Sequence, residues 1–352
     1  MRRRRRQLWI VFGVVVVLAG GVVAAIFLRR AAPPDAVRLL PDSDAVLYLN
    51  LEPVRLLSEL GKKPPSNRDP EYQKFVDETG FDFERDLTRA AFAIHYGTAA
   101  DRETRYTEIL QGHFDHTRVS QYLAKLSNNS TEEYGGFQVY VVPLEGRTLR
   151  VVLLGVDTAA ASNNADPRFI RYIIDQYKQA ALPFTGPALV SDYYRRIPLG
   201  SVVWTIARTP AQASMQDHGE LLLPGGWSSL LPPGSIVIAS ARPLADVRLR
   251  AQVIMRDEAQ AHTFAGKMEA FLALVKAIDI SMDGGGPDPD VKKAFDSFEV
   301  KQEKNEAVVT ANVPFGFFRK IVSESPVEIV PQTQKPPEAP APAAKSKPKH
   351  TK

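Results

Sequence analysis

The chain has no cysteine among its 352 residues. That excludes disulfides, thiolate metal sites, thiol nucleophiles and lipid attachment through a cysteine. The common signatures of chemistry are missing as well: there is no G-x-S-x-G, H-E-x-x-H, P-loop, EF-hand loop or G-x-G-x-x-G. The one S-x-x-K match, Ser346–Lys349, sits in a Pro/Lys tail with no pocket to work in. Acidic residues are absent from positions 1–30, which hold seven arginines, and only one is found in 331–352 beside five lysines. The ends therefore carry +7 and +4. With a whole-chain charge of +4, residues 31–330 are left at −7. An acidic folded part argues against a nucleic-acid-binding domain.

What is present begins with Gln7–Leu28, an uncharged run rich in Val, Ala, Leu and Gly with Trp9 near one end. As a helix rising about 1.5 Å per residue it would span roughly 33 Å, enough for a bilayer core. Arg2–Arg6 outweigh Arg29 and Arg30, so the positive-inside bias places residues 1–6 in the cytoplasm and the rest outside. The competing reading is a signal peptide cleaved at Val23-Ala24-Ala25. The apolar run exceeds the usual signal core and has a second basic border, which favours an uncleaved anchor.

Residues 29–40 read as a linker, stiffened by Pro33 and Pro34. Residues 323–352 are rich in Pro, Ala and Lys, bury too little to offset chain entropy, and read as a disordered tail. The folded region is then 41–322. Its apolar periodicity gives a strand at Ala45–Leu51, short helices at Pro53–Leu60 and Pro70–Thr79, and an order ββαββα that occurs twice. The first copy, within 41–185, uses Ala90–Tyr96, Thr104–Gln111, a helix at Asp115–Ser127, Phe137–Val142, Leu149–Leu154 and a helix at Pro167–Ala180. The second, within 186–322, uses Ser235–Ala241, Asp246–Met255, a helix at Glu258–Ile278, Phe298–Glu303, Ala307–Val313 and a helix at Phe315–Val322, with an extra helix at Val291–Phe295. In Glu258–Ile278 the residues Ala261, Phe264, Met268, Phe271, Val275 and Ile278 form one stripe, opposite His262, Glu269 and Lys276. In Asp246–Met255, Val247, Leu249, Ala251 and Val253 alternate with Arg248, Arg250 and Gln252, as in a sheet with one wet face. The expected fold is α+β: a transmembrane helix, then two similar halves with antiparallel sheets and helices on one face.

Candidate sites are few. Two His and an Asp in Gly112-His113-Phe114-Asp115-His116 could contribute to zinc, but no third ligand follows at a metal spacing. Asp115 is better placed to cap the next helix. Asp283–Asp290 does not match the EF-hand, and Asp290 would cap Val291–Phe295. His95 lies in a strand with no visible partner, as a satisfied core or edge histidine does. The sequons at Asn128 and Asn129 matter only in a eukaryotic secretory route. No catalytic residue, cofactor or metal is expected. The Gly/Pro-broken run Leu221-Leu222-Leu223-Pro224-Gly225-Gly226-Trp227 reads as a loop packed between the halves or as a contact surface formed by Leu221, Leu222, Leu223 and Trp227.

The segments LLPDSDAVLYLNLEPVRLL (39–57), TGFDFERDLTRAAFAI (79–94), YTEILQGHFDHTRVSQYL (106–123) and YGGFQVYVV (134–142) resemble an uncharacterised bacterial envelope family. Its members carry an N-terminal anchor or signal and an exported domain of unknown function. The resemblance implies a location and a fold and brings no active-site residues. The sequence thus points to a single-pass protein of the bacterial cytoplasmic membrane, with an extracytoplasmic domain that binds or scaffolds. The expected partners are the membrane through 7–28 and an envelope protein or anionic cell-wall polymer; nucleic acid is not among them. The alternative is an extracytoplasmic enzyme, a hydrolase, whose groups converge from distant positions.

Overall fold

The computed structural model describes residues 32–57, 69–97, 103–144, 146–179, 186–210, 231–277 and 289–317. The segment 7–28, the run 221–227 and the tail after 317 lie outside the described residues, so those expectations meet no structure here. The fold is mixed α+β, built on one twelve-stranded antiparallel sheet.

The strands are β1 (Ala45–Asn50), β2 (Leu87–His95), β3 (Arg105–Gly112), β4 (Thr131–Tyr134), β5 (Phe137–Leu144), β6 (Arg147–Leu153), β7 (Thr158–Ser162), β8 (Val203–Arg208), β9 (Ile236–Pro243), β10 (Val247–Ile254), β11 (Glu299–Glu303) and β12 (Glu306–Val313). Their order across the sheet is β11-β12-β10-β9-β8-β1-β2-β3-β7-β6-β5-β4. The two arms of the sheet meet at the antiparallel pair β1 and β8, where Tyr48 lies opposite Trp204 with ring centroids 5.4 Å apart. Trp204 is 2% exposed and Tyr48 is buried beside it. Two arms run outward from this pair, β1–β7 to one side and β8–β12 to the other.

Two expectations need correction. The sheet is continuous across both halves, because β8, which the periodicity did not single out, bridges β1 to β9. Helices also cover both faces, not one. On one face, α1 (Asp35–Arg38), α6 (Arg168–Lys178) and α7 (Ala188–Tyr193) pack with Val46, Tyr48, Ala91, Ile109, Trp204 and Ile206. On the other lie α3 (Pro70–Thr79), α5 (His116–Leu126) and α8 (Glu258–Ala277), packed on Leu49, Ala90, Leu153, Val237 and Val253. The physical reason is legible afterwards in β1. Ala45, Val46, Leu47, Tyr48 and Leu49 are a continuous apolar run, and a strand without alternation needs cover on both sides. The remaining described α-helices are α2 (Glu52–Leu57), α4 (Phe83–Asp86) and α9 (Pro289–Asp296).

Local chemistry explains several boundaries. Asp69 accepts from the amides of Glu71 (2.8 Å) and Tyr72 (3.3 Å), and Pro70 takes the first position of α3. Gly80 ends that helix in the left-handed region, φ +73°, where a side chain would also strike the Arg118 guanidinium. Further along, α9 starts at Pro289, so Asp290 sits inside its first turn rather than capping it from outside.

Candidate functional site

The outer strands of the second arm alternate as their sequence predicts. Val253, Ala251 and Leu249 of β10 point toward α8, while Gln252, Arg250 and Arg248 point away. The apolar side of this arm does not close on itself. Between α8 and the strands lies a cavity of about 310 Å³.

Its floor is a row that crosses five strands. Leu47 pairs with Thr205, Thr205 with Ala239, Ala239 with Ala251 and Ala251 with Val309. At about 4.8 Å per strand the row is about 19 Å long. Phe264 and Met268 of α8, with Leu231 and Phe298, form the walls. Phe264 is 3% exposed, so the wall is held firmly by the core around it. The space exists because the floor carries alanine at 239 and 251, beneath a helix whose bulk rests instead on Val237 and Val253. Thr205 is the polar member of this floor, and its hydroxyl already donates to the Val46 carbonyl at 2.9 Å. The cavity therefore offers shape and apolar contact, with little hydrogen bonding.

The same row continues into the first arm. Phe92 lies opposite Leu47, Glu108 opposite Phe92, and Ala161 opposite Glu108. Among the described residues the Glu108 carboxyl makes no hydrogen bond or ion pair, and burial pushes it above the usual carboxylate range. Sequence reasoning missed it, since a Glu between Thr107 and Ile109 reads as the wet side of an ordinary strand.

The residues singled out from the sequence are not brought together. Asp115 caps α5, accepting from the Arg118 amide at 3.1 Å. His116 is the first residue of that helix, and its Nδ1 lies 3.5 Å from the Ser120 hydroxyl. His113 precedes them and donates its amide to Asp86 O at 3.0 Å. Among the described residues no three His, Asp or Glu side chains gather as a metal ion would require. His95 packs edge-on against Phe169 at 4.7 Å, with the Thr107 hydroxyl 3.5 Å from its Nε2. Burial holds its ring below the usual histidine range, the nearby Asp44 opposing. Leu221, Leu222, Leu223 and Trp227 lie outside the described residues. Among the described residues no helix is long and apolar enough to cross a membrane.

No family model matches the chain, and no curated protein matches it. Among solved structures, crystal form I of TP0453 is similar at 11% identity and a TM-score of 0.41, over 84% of this chain and 98% of that one. Crystal form III gives 11% identity and a TM-score of 0.43, over 83% and 99%. A likeness that distant carries no functional argument.

Proposed function

We propose that this protein is a binding module of the bacterial cell envelope that holds an apolar ligand, a lipid acyl chain, in the cavity between α8 and the sheet. The observation that carries this reading is the floor Leu47, Thr205, Ala239, Ala251 and Val309 beneath Phe264 and Met268. The groove of about 310 Å³ is half open and its lining is almost wholly apolar, so in the absence of a ligand a contiguous apolar surface stays in contact with water. Water that enters it finds few polar partners. An alkyl chain recovers about 0.8 kcal/mol for each methylene buried.

The anchor at 7–28, the inside position of residues 1–6 and the extracytoplasmic placement of the domain belong to the same proposal, supported by the arginine asymmetry and by the family resemblance. So does a common origin of the two arms. In each, three strands run outward from the centre, a helix follows, and a later strand returns beside the third: β7 beside β3, β12 beside β10. The hydrolase alternative draws less support, because the cavity floor presents no nucleophile with an adjacent base.

The test is direct. The full chain purified in a non-lipid detergent is extracted with organic solvent and the extract analysed by mass spectrometry, in parallel with Ala251→Leu. A long-chain lipid present in near-stoichiometric amount and lost in the variant supports the reading. Equal lipid in both proteins, or none in either combined with no binding of added fluorescent fatty acid, overturns it. Retention in membranes after a high-pH carbonate wash tests the anchor; a mature N-terminus at Ile26 or later overturns that part.

A further inference from the structure

On the opposite face of the second arm, β9 and β10 carry three arginines side by side. Arg242 and Arg248 are register partners across the two strands, and Arg250 follows two residues along β10 on the same side. Facing residues of adjacent antiparallel strands have Cβ atoms about 5 Å apart, and like charges in that position repel. An arrangement that costs stability in this way calls for a compensating charge.

None is supplied among the described residues. Arg248 Nε donates to Asn312 Oδ1 at 3.2 Å, Arg250 Nη2 to Gln252 Oε1 at 3.3 Å, and Arg242 Nη1 to the Leu199 carbonyl at 3.5 Å. All three acceptors are neutral. Arg242 Nε is buried and has no hydrogen-bond partner. The neighbouring carboxylates on this face are engaged elsewhere: Glu306 with Arg196 at 2.7 Å and with Gln252, Glu299 with Lys301 at 3.3 Å. The cluster also stands against its background, since residues 31–330 carry −7 overall. The face is accessible: Arg248 is exposed and the other two are half-buried.

We propose that Arg242, Arg248 and Arg250 form a binding site for a phosphate group. Guanidinium is planar and presents paired N–H donors that match two oxygens of one phosphate, giving short charge-assisted hydrogen bonds. Strand backbones fix the spacing of the three side chains, so little ordering is left to the moment of binding. A bound phosphate would supply the missing negative charge and relieve the Arg242–Arg248 repulsion. The arginine side chains lie on the face opposite the one that Ala239 and Ala251 give to the cavity, which Arg250 also borders.

The experiment titrates inorganic pyrophosphate into the detergent-solubilised full chain by calorimetry. The double variant Arg248→Gln/Arg250→Gln should bind at least tenfold more weakly and melt no lower than wild type. The basic residues at the two ends are unchanged in the variant, so the difference belongs to the sheet. Arg248→Lys/Arg250→Lys, which keeps charge but loses the fork, should fall between. Equal affinity in wild type and the Gln double variant overturns the site. If the double variant does not fold, the exposed single change Arg248→Gln serves, with a loss of about threefold expected and no change as the refuting result. Glycerophosphoglycerol, a deacylated phospholipid headgroup, then identifies the source. Displacement of pyrophosphate assigns the site to lipid headgroups; failure to displace assigns it to a free phosphate anion.

Discussion

Replacing Ala251 with leucine should stabilise the ligand-free protein and weaken its response to ligand. Ala251 is half-buried in the cavity floor, between Ala239 and Val309 and under Phe264 and Met268. Leucine adds three carbons into space that is now void. At about 0.8 kcal/mol per buried methylene the gain approaches about 2.4 kcal/mol, less about 0.5–1 kcal/mol for the side-chain freedom lost. A net gain of about 1.5 kcal/mol raises the melting temperature of a domain this size by about 2–3 °C. A saturating acyl ligand should act in the opposite order. Wild type gains about 2.7 kcal/mol at a ligand concentration a hundred times its Kd, while the variant, whose added side chain takes up part of the groove, gains much less. The two melting curves therefore exchange places between delipidated and lipid-loaded samples. Calorimetric melts of both proteins, each before and after addition of a long-chain fatty acid, read this out. A variant destabilised by more than about 1 kcal/mol in the delipidated state would show overpacking and refute the claim that the floor has room.

Further outcomes follow from the same structure. Phe264→Ala should cost about 3–5 kcal/mol, the range for a core phenylalanine, whereas the exposed His262→Ala should stay within about 0.5 kcal/mol; equal melts would remove α8 from the core. Asp115→Ala should lose about 1 kcal/mol through the cap to Arg118, and an unchanged denaturation midpoint would deny the cap its role. Glu108 titrates with a raised folded-state pKa because burial penalises its charge. The native state then holds its proton to higher pH than the unfolded chain does. Its favourable contribution is complete below the ordinary carboxylate range, is lost as pH rises through the folded-state pKa, and stays lost above it. Glu108→Gln should therefore be more stable than wild type at pH 8 and show a flatter dependence down to pH 4. A variant less stable at pH 8 would mean that the carboxylate has an unseen partner.

Much of the second arm was legible in advance because its strands have one wet face. Arg248, Arg250 and Gln252 between Val247, Leu249, Ala251 and Val253 announce both a strand and its orientation. The interior strands were harder. Thr158–Ser162 reads Thr-Ala-Ala-Ala-Ser, a sequence with no strand propensity of its own; pairing with Ile109 on one side and Val152 on the other makes it β7. The helix stripe shows the limit of periodicity. Steps of 3, 4, 3 and 4 from Ala261 point to Phe271 and Val275, but that is a period of 3.5. A straight helix turns every 3.6 residues, so the inward face drifts by about 20° per heptad. Three turns beyond Ala261 the buried residue is Leu272, 5% exposed, while Phe271 is only partly buried.

The sequence by itself determined charge distribution, the Asp115 cap and the two faces of the outer strands, because these depend on neighbours a few residues away. Only the tertiary structure decided the cavity and the arginine cluster. Leu47, Thr205, Ala239, Ala251 and Val309 meet in one row, and Arg242 faces Arg248, through strand register. Register is a property of paired backbones, and a shift of one residue would send every one of these side chains to the other face of the sheet.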